Sequence, residues 1–177
     1  MKVTYIKHSI RQVIKVYKIV TIHYYEFDKN YKFPGERHDF WEMVYVDKGQ
    51  VVITASGIKH VLSAGEVIFH KPNEFHTIGA DDTVAPNVFV ISFVSNSQGM
   101  SFFKNKKMRL PPPLKRMISG IIEEAKSTFD SPMNDPNMCE LTVREDAPLG
   151  GSQLIKIYLE QLLIALIRME EKGTATT

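Results

Sequence analysis

From about residue 12 to 95 the chain alternates short apolar runs with turn residues. "VYKIVTIHYYEF" (16–27) is rich in β-branched and aromatic side chains, and "FWEMVYV", "QVVITA", "IKHVL", "EVIFH" and "NVFVISFV" follow it. Pro34-Gly35, Lys48-Gly49, Ser56-Gly57, Ala64-Gly65 and Lys71-Pro72-Asn73 punctuate these runs, as turns do between strands. At least five short strands with no intervening helix predict an antiparallel sandwich or barrel. After residue 109 the period changes. Leu114, Met117, Ile118, Ile121, Ile122, Ala125 and Phe129 fall at helical spacing, with Pro112 or Pro113 suited to the first turn. Gly120 interrupts this pattern and weakens it by about 1 kcal/mol relative to Ala.

Residues 130–151 read as a long polar loop, longer than most connections in a compact domain, which makes it functional or mobile. A last helix is predicted from Ser152, a suitable N-cap. Ile155, Leu159, Leu162, Leu166 and Met169 form one stripe on it, and Leu154, Tyr158, Leu163, Ile164 and Ile167 widen its apolar surface. That surface exceeds the arc of about 100° that packing on one sheet requires. The helix is therefore either sandwiched in the core or leaves the first stripe as a dimer interface.

The strand pattern becomes chemically unusual at "GERHDFWEMVYVDKG" (35–49). Every second residue from Glu36 gives Glu36, His38, Phe40, Glu42, Val44 and Val46, so one strand face runs from ionisable to apolar. Either a pocket lined by Glu36, His38, Phe40, Glu42 and the later His76, or the pairing of these groups with one another and with water, accounts for that pattern, because they would cost several kcal/mol if buried unpaired. Arg37 has the opposite parity and is expected to point away. In a straight strand His38 and Glu42 lie about 13 Å apart, so shared metal ligation requires a bend across Asp39, Phe40 and Trp41.

Together with "GEVIFHKPNEFH" (65–76), this stretch resembles the paired motifs of the cupin superfamily. His38, Glu42 and Gly49 match the second His, the Glu and the Gly of the first motif, while Glu36 stands where its first His belongs. Gly65, Pro72-Asn73 and His76 match the second motif, with Asn73 in place of a Gly. The resemblance implies a small cupin-like β-barrel or jelly roll. It further implies His38, Glu42 and His76 as ligands of a possible first-row divalent metal, although no cofactor is otherwise expected. The barrel followed by "GGSQLIKIYLEQLLIALIRMEEKG" also resembles the sensor domain of AraC/XylS-type transcription regulators, over about residues 15–172.

That second resemblance implies a non-enzymatic domain that binds a small, possibly sugar-like effector and forms a homodimer through the last helix. DNA would be contacted only through a helix-turn-helix domain absent from this sequence. In some relatives the N-terminal arm folds over the ligand, a role that residues 1–11 would take here. The expected organisation is a barrel with its N-terminal arm over 1–109, helices packed on it over 110–172, and a linker or tail at 173–177. The alternative from another functional class is a stand-alone metal-dependent cupin enzyme of oxygenase or isomerase type.

Bulk composition adds limits. The chain has 177 residues, a net charge of +2 and a single cysteine. The size fits one domain, and the mild charge falls short of a dedicated nucleic-acid binder. The basic run "KNKKMR" (104–109) reads as a solvated loop. One thiol, Cys139, permits no internal disulfide and fits a cytoplasmic protein; no partner near it in sequence gives it a role. No signal peptide or membrane span is visible.

Overall fold

The structure, a computed structural model, describes residues 3–174, with side chains described to residue 171. Nine strands are present among them: β1 (Lys18–Glu26), β2 (Lys32–Glu36), β3 (Trp41–Lys48), β4 (Gln50–Ala55), β5 (Ile58–Ser63), β6 (Glu66–His70), β7 (His76–Ala80), β8 (Asn87–Val94) and β9 (Lys107–Arg109). A 3-10 turn (Gln98–Phe103) precedes β9, and two helices close the chain, α1 (Pro112–Thr128) and α2 (Gly151–Thr174). The strands form two antiparallel sheets, ordered β1-β8-β3-β6-β9 and β2-β7-β4-β5. The mainly β, cupin-like architecture with C-terminal helices is the one predicted. α2 begins one residue before Ser152, so that serine lies inside the helix and is not its N-cap.

The two sheets bury different amounts of surface, and their sequences follow. The five-stranded sheet is covered on both faces, so β3 and β8 carry uninterrupted buried runs. Val44, Val46, Ile68, Val88 and Val90 point into the space between the sheets. Trp41, Met43, Tyr45, Phe69, Phe89 and Ile91 point the other way and pack beneath the two helices. The four-stranded sheet has one solvated face, and β4 shows strict alternation of buried and half-buried positions.

The predicted dimer stripe is corrected here. Ile155, Leu159, Leu162 and Leu166 are fully buried in the single chain, within the cluster shared by helices and barrel. An apolar stripe covered by the chain's own barrel is out of reach of a second copy. Met169 alone of that set remains exposed. Gly120, expected only as a weak point, is where Tyr158 of α2 crosses α1; an added Cβ would stand 2.9 Å from its ring.

The stretch 35–49 is also not one strand. Glu36 ends β2, an edge strand of the four-stranded sheet, while Glu42 lies in β3 of the opposite sheet. Pro34 is tolerated at that edge. Gly35 has φ +115°, and a Cβ there would come 2.5 Å from Phe75 and 2.8 Å from the His76 carbonyl. The chain thus crosses from one sheet to the other between Arg37 and Phe40.

The N-terminal arm from Val3 to Val13 is exposed and contributes nothing to the cavity described below. It joins the fold through Ile14 and Val16, which are buried; the Lys15 N–H donates to Ser97 at 2.8 Å and the Val16 N–H to Glu160 of α2 at 2.7 Å. Met1, Lys2 and most of the predicted tail at 173–177 lie outside the described residues. Among the described residues no helix is long and apolar enough to cross a membrane.

Candidate functional site

The crossing between sheets creates the bend that metal-type geometry would need. Residues 39 and 40 form it, and it swings His38 back over the first turn of β3. The His38 Nδ1 lies 3.0 Å from the Phe40 carbonyl, and the two rings stack at 4.0 Å. The His38 Nε2 then stands 3.5 Å from Glu42, where a straight strand would have separated them.

The second motif meets the first through its backbone. Asn73 adopts φ +64°, the conformation that glycine usually supplies at this turn. Its N–H donates to the His38 carbonyl at 2.7 Å. The turn delivers His76 at the start of β7, with its Nδ1 3.1 Å from the Glu74 carbonyl and its Nε2 3.4 Å from Glu42 and 3.8 Å from Glu36. Glu36, His38, Glu42 and His76 are therefore brought together as expected, each offering a donor atom within 4.8 Å of the others. Phe40 joins them by its stack on His38, and Arg37 is exposed outside the group.

Sequence reasoning missed a second layer. His70, at the end of β6, is fully buried and stacks on His76 at 4.0 Å. Its Nδ1 lies 3.3 Å from Glu74, which accepts a 2.8 Å hydrogen bond from Ser56. Ser92 of β8 donates to Glu42 at 3.2 Å. His23 also lines the site, at the head of a column of stacked rings formed with Tyr25, Phe27 and Tyr31. The parity of His23, Tyr25 and Phe27 along β1 was a usable signal for this wall. For His70 none existed, since it ends an apolar strand like any capping polar residue.

The titration behaviour of these groups follows from their surroundings. Burial alone would raise the Glu42 carboxyl, but the His38 and His76 imidazoles 3.5 and 3.4 Å from it, and the charges of His76 and His70, hold it well below the ordinary range. Glu74 is likewise opposed by burial and brought down to about 2 by His70 and Ser56. Burial works against a proton on His76, yet Glu42 outweighs it and raises that imidazole. His70 and His23 have no such surplus, and desolvation lowers both.

These side chains form one end of a cavity of about 310 Å³ between the sheets. Its floor is apolar, with Val44, Val90 and Ile78, and one wall is the aromatic column. Pro136, Asn137, Met138 and Cys139 lie across its mouth. They belong to the predicted long loop, which is here a built strap. Phe129 bridges to Val143, the Asp130 N–H donates to the Thr142 carbonyl at 2.9 Å, and the Tyr24 N–H donates to the Met133 carbonyl at 3.0 Å. Cys139, which sequence left without a role, is thus an exposed thiol on the cavity rim.

Comparison with known proteins agrees with this fold. The profile of the AraC-like ligand binding domain matches residues 20–134. The chain belongs to that family. The apo form of a ToxT variant from Vibrio cholerae superposes over 88% of this chain and 58% of its own, with a TM-score of 0.54 at 9% identity; at that identity the likeness is one of fold. Smaller cupin overlaps include an RmlC-like cupin from Shewanella frigidimarina, with 24% identity, a TM-score of 0.34 and 41% and 61% of the two chains covered. A predicted oxalate decarboxylase from Thermotoga maritima gives 20% identity, a TM-score of 0.36 and coverage of 37% and 57%. The chain thus spans less than two thirds of the length of each of these structures. No curated protein matches the sequence significantly.

Proposed function

We propose that this AraC-type ligand-binding domain takes a small-molecule effector into the cavity between its sheets and acts as a sensor without catalysing a reaction. The observation that carries the reading is the convergence of Glu36, His38, Glu42 and His76 at one end of a sizeable cavity whose remaining wall is mostly aromatic and aliphatic, the usual anatomy of a small-molecule site. The strap supplies a route for signalling, since it runs from α1 to α2 and its tip touches the cavity. An occupant that prefers one strap position over another shifts the helices by that difference in affinity alone. Dimerisation, in this proposal, uses the outward side of α2 around Leu154 and Ile157, which are 39% and 46% exposed. DNA contact falls to a separate helix-turn-helix domain. The cavity wall does not single out a sugar, since most of it is aromatic or aliphatic.

A thermal-shift screen across charged, neutral and polyol ligands tests the reading. Effector binding is expected to raise the melting temperature of the wild type but not of Glu42→Gln. It should also slow amide exchange in residues 132–139. A screen in which no ligand class stabilises the fold would overturn it.

The same donor cluster favours a second reading, a bound metal. His38, Glu42 and His76 are a two-imidazole, one-carboxylate set suited to a first-row divalent ion, with Glu36 able to supply a fourth oxygen. Such an ion would add Lewis-acid chemistry and open the metal-dependent cupin enzyme alternative. Elemental analysis after loading with iron, manganese, nickel or zinc decides it: stoichiometric metal lost in His76→Ala supports this reading, and protein that cannot be loaded excludes it.

A further inference from the structure

Resting on the effector-binding reading, we propose that the cavity selects an organic cation, a protonated amine carried on a compact apolar body. The first observation is how the donor atoms face. The Nδ1 atoms of His38 and His76 are turned to backbone carbonyls at 3.0 and 3.1 Å, where they donate. Their Nε2 atoms point into the cluster, buried and without a hydrogen-bond partner. They converge there with carboxylate oxygens of Glu42 and Glu36. Two carboxylates at the end of an enclosed cavity suit a guest that supplies donors and positive charge, and an ammonium group brings up to three N–H donors.

The second observation is the charge balance of the walls. No lysine or arginine lines the cavity among the described residues. Glu36 and Glu42 both face it. Burial first, and then Glu42, Tyr31, Glu36 and Asp135, raise the pKa of the Tyr25 hydroxyl on the same wall. An anionic guest would meet the like charge of Glu36 and Glu42 in a low-dielectric site, with no lysine or arginine among the described residues of the wall to offset it.

The third observation separates an organic cation from a bare ion. Away from the cluster the space is bounded by the column Tyr25, Phe27 and Tyr31, with ring spacings of 4.8 and 3.9 Å, and by Val44, Val90 and Ile78. A metal ion would leave that apolar volume unfilled. Stacked upon one another, the rings present their edges, which suit the face of an aromatic guest or an aliphatic chain. The ammonium would sit between Glu36 and Glu42, with the body along the column.

The test compares phenethylamine, phenethyl alcohol, hydrocinnamate and D-glucose by calorimetric titration of the full chain, treated with EDTA and exchanged into buffer near neutral pH. Phenethylamine is expected to bind at least about tenfold more tightly than the alcohol, since a desolvated charge pair is worth that much or more. Hydrocinnamate and glucose should give no heat. Glu42→Gln should weaken the amine about tenfold or more. Glu36→Gln, on a half-exposed side chain, should weaken it about threefold without changing the melting temperature, which guards against a Glu42 variant that fails to fold. Hydrocinnamate or glucose binding as tightly as the amine overturns the inference while leaving the effector-binding reading in place. Amine binding that appears only after zinc is added overturns it in favour of metal coordination. Silence from all of the probes overturns it too, and the wider reading then stands or falls on the thermal-shift screen.

Discussion

The space between the two sheets has two unlike ends. At the closed end Val46, Val51, Ile53, Leu62 and Val88 are fully buried against one another. At the open end Glu36, His38, Glu42, His70 and His76 crowd together among aromatic rings. The same strand, β3, serves both: Val44 and Val46 share a face with Glu42. The closed end gains its stability from burying apolar surface at roughly 25 cal/mol per Å². The open end spends burial on charged groups, which are tolerable only because each has a partner or a guest. A fold can carry such a site when the dry end supplies the stability.

The largest effect should come from moving the chemistry of the open end into the closed one. Ile53→Glu, at a fully buried site with no partner, is expected to destabilise the domain by about 4 kcal/mol or more, or to prevent folding. Urea unfolding measures it. If the variant remained as stable as the wild type, the closed end would not be dry.

The layer behind the open end comes next. The Glu74 carboxyl, at about 2 in the folded chain, lies below its ordinary value, so its contribution to stability is present above about pH 4 and is lost as the pH falls toward 2. Glu74→Gln should therefore cost about 1–3 kcal/mol near neutral pH and flatten the acid limb of the stability profile. An unchanged acid limb would mean that the His70–Glu74 pair contributes nothing.

A gentler test makes the open end resemble the closed one. Glu42→Leu replaces the hub of the cluster with an apolar side chain of similar size, a kind of exchange that costs about 1.5 kcal/mol or less when the remaining groups can neutralise. His76 can do so by losing its proton. In the wild type its raised pKa gives stability that is fully present below about pH 6.5 and is lost as the pH rises through the folded value. In Glu42→Leu desolvation is opposed only by the Glu74 carbonyl and the Glu36 charge, so the imidazole should titrate lower by NMR, and effector binding should be lost. A His76 titration that does not fall would show that Glu42 is not its controlling partner.

The smallest effect on the fold belongs to α2. Ile157→Glu lies on the outward side, 46% exposed, and should change monomer stability by about 0.5 kcal/mol or less while abolishing dimers in sedimentation analysis. Leu162→Glu, on the inward stripe, should instead damage the fold. A dimer that survives Ile157→Glu would place the interface elsewhere.

Much of the site was legible along the chain because neighbours in sequence have fixed parity in a strand. Glu42, Val44 and Val46 had to share a face, and Gly65, the Pro72-Asn73 turn and His76 had to follow one another at a strand boundary. The His23 wall was readable by the same rule. Glu36 reached the right cluster for a different reason than parity: it arrives from the other sheet after a bend. The His70–Glu74 pair was not legible, since a histidine ending an apolar strand and a glutamate in a turn carry no sign of what they will face. The α2 stripe was visible as apolar, but periodicity states only that a face is buried and not by what.

By itself, then, the sequence determined the order of elements, the cupin-like barrel with its terminal helices, membership of the AraC-type ligand-binding family, and the four side chains that meet at the open end. Tertiary structure alone decided that β2 and β3 stand in opposite sheets, that the long loop becomes a strap over the cavity, that His70 and Glu74 back the cluster, and that the inner stripe of α2 belongs to the monomer core. The division has one physical cause. Strand parity and helical period are local properties of the backbone, written every two or every 3.6 residues. Which buried face meets which is set by packing between segments far apart in the chain, and no local pattern encodes it.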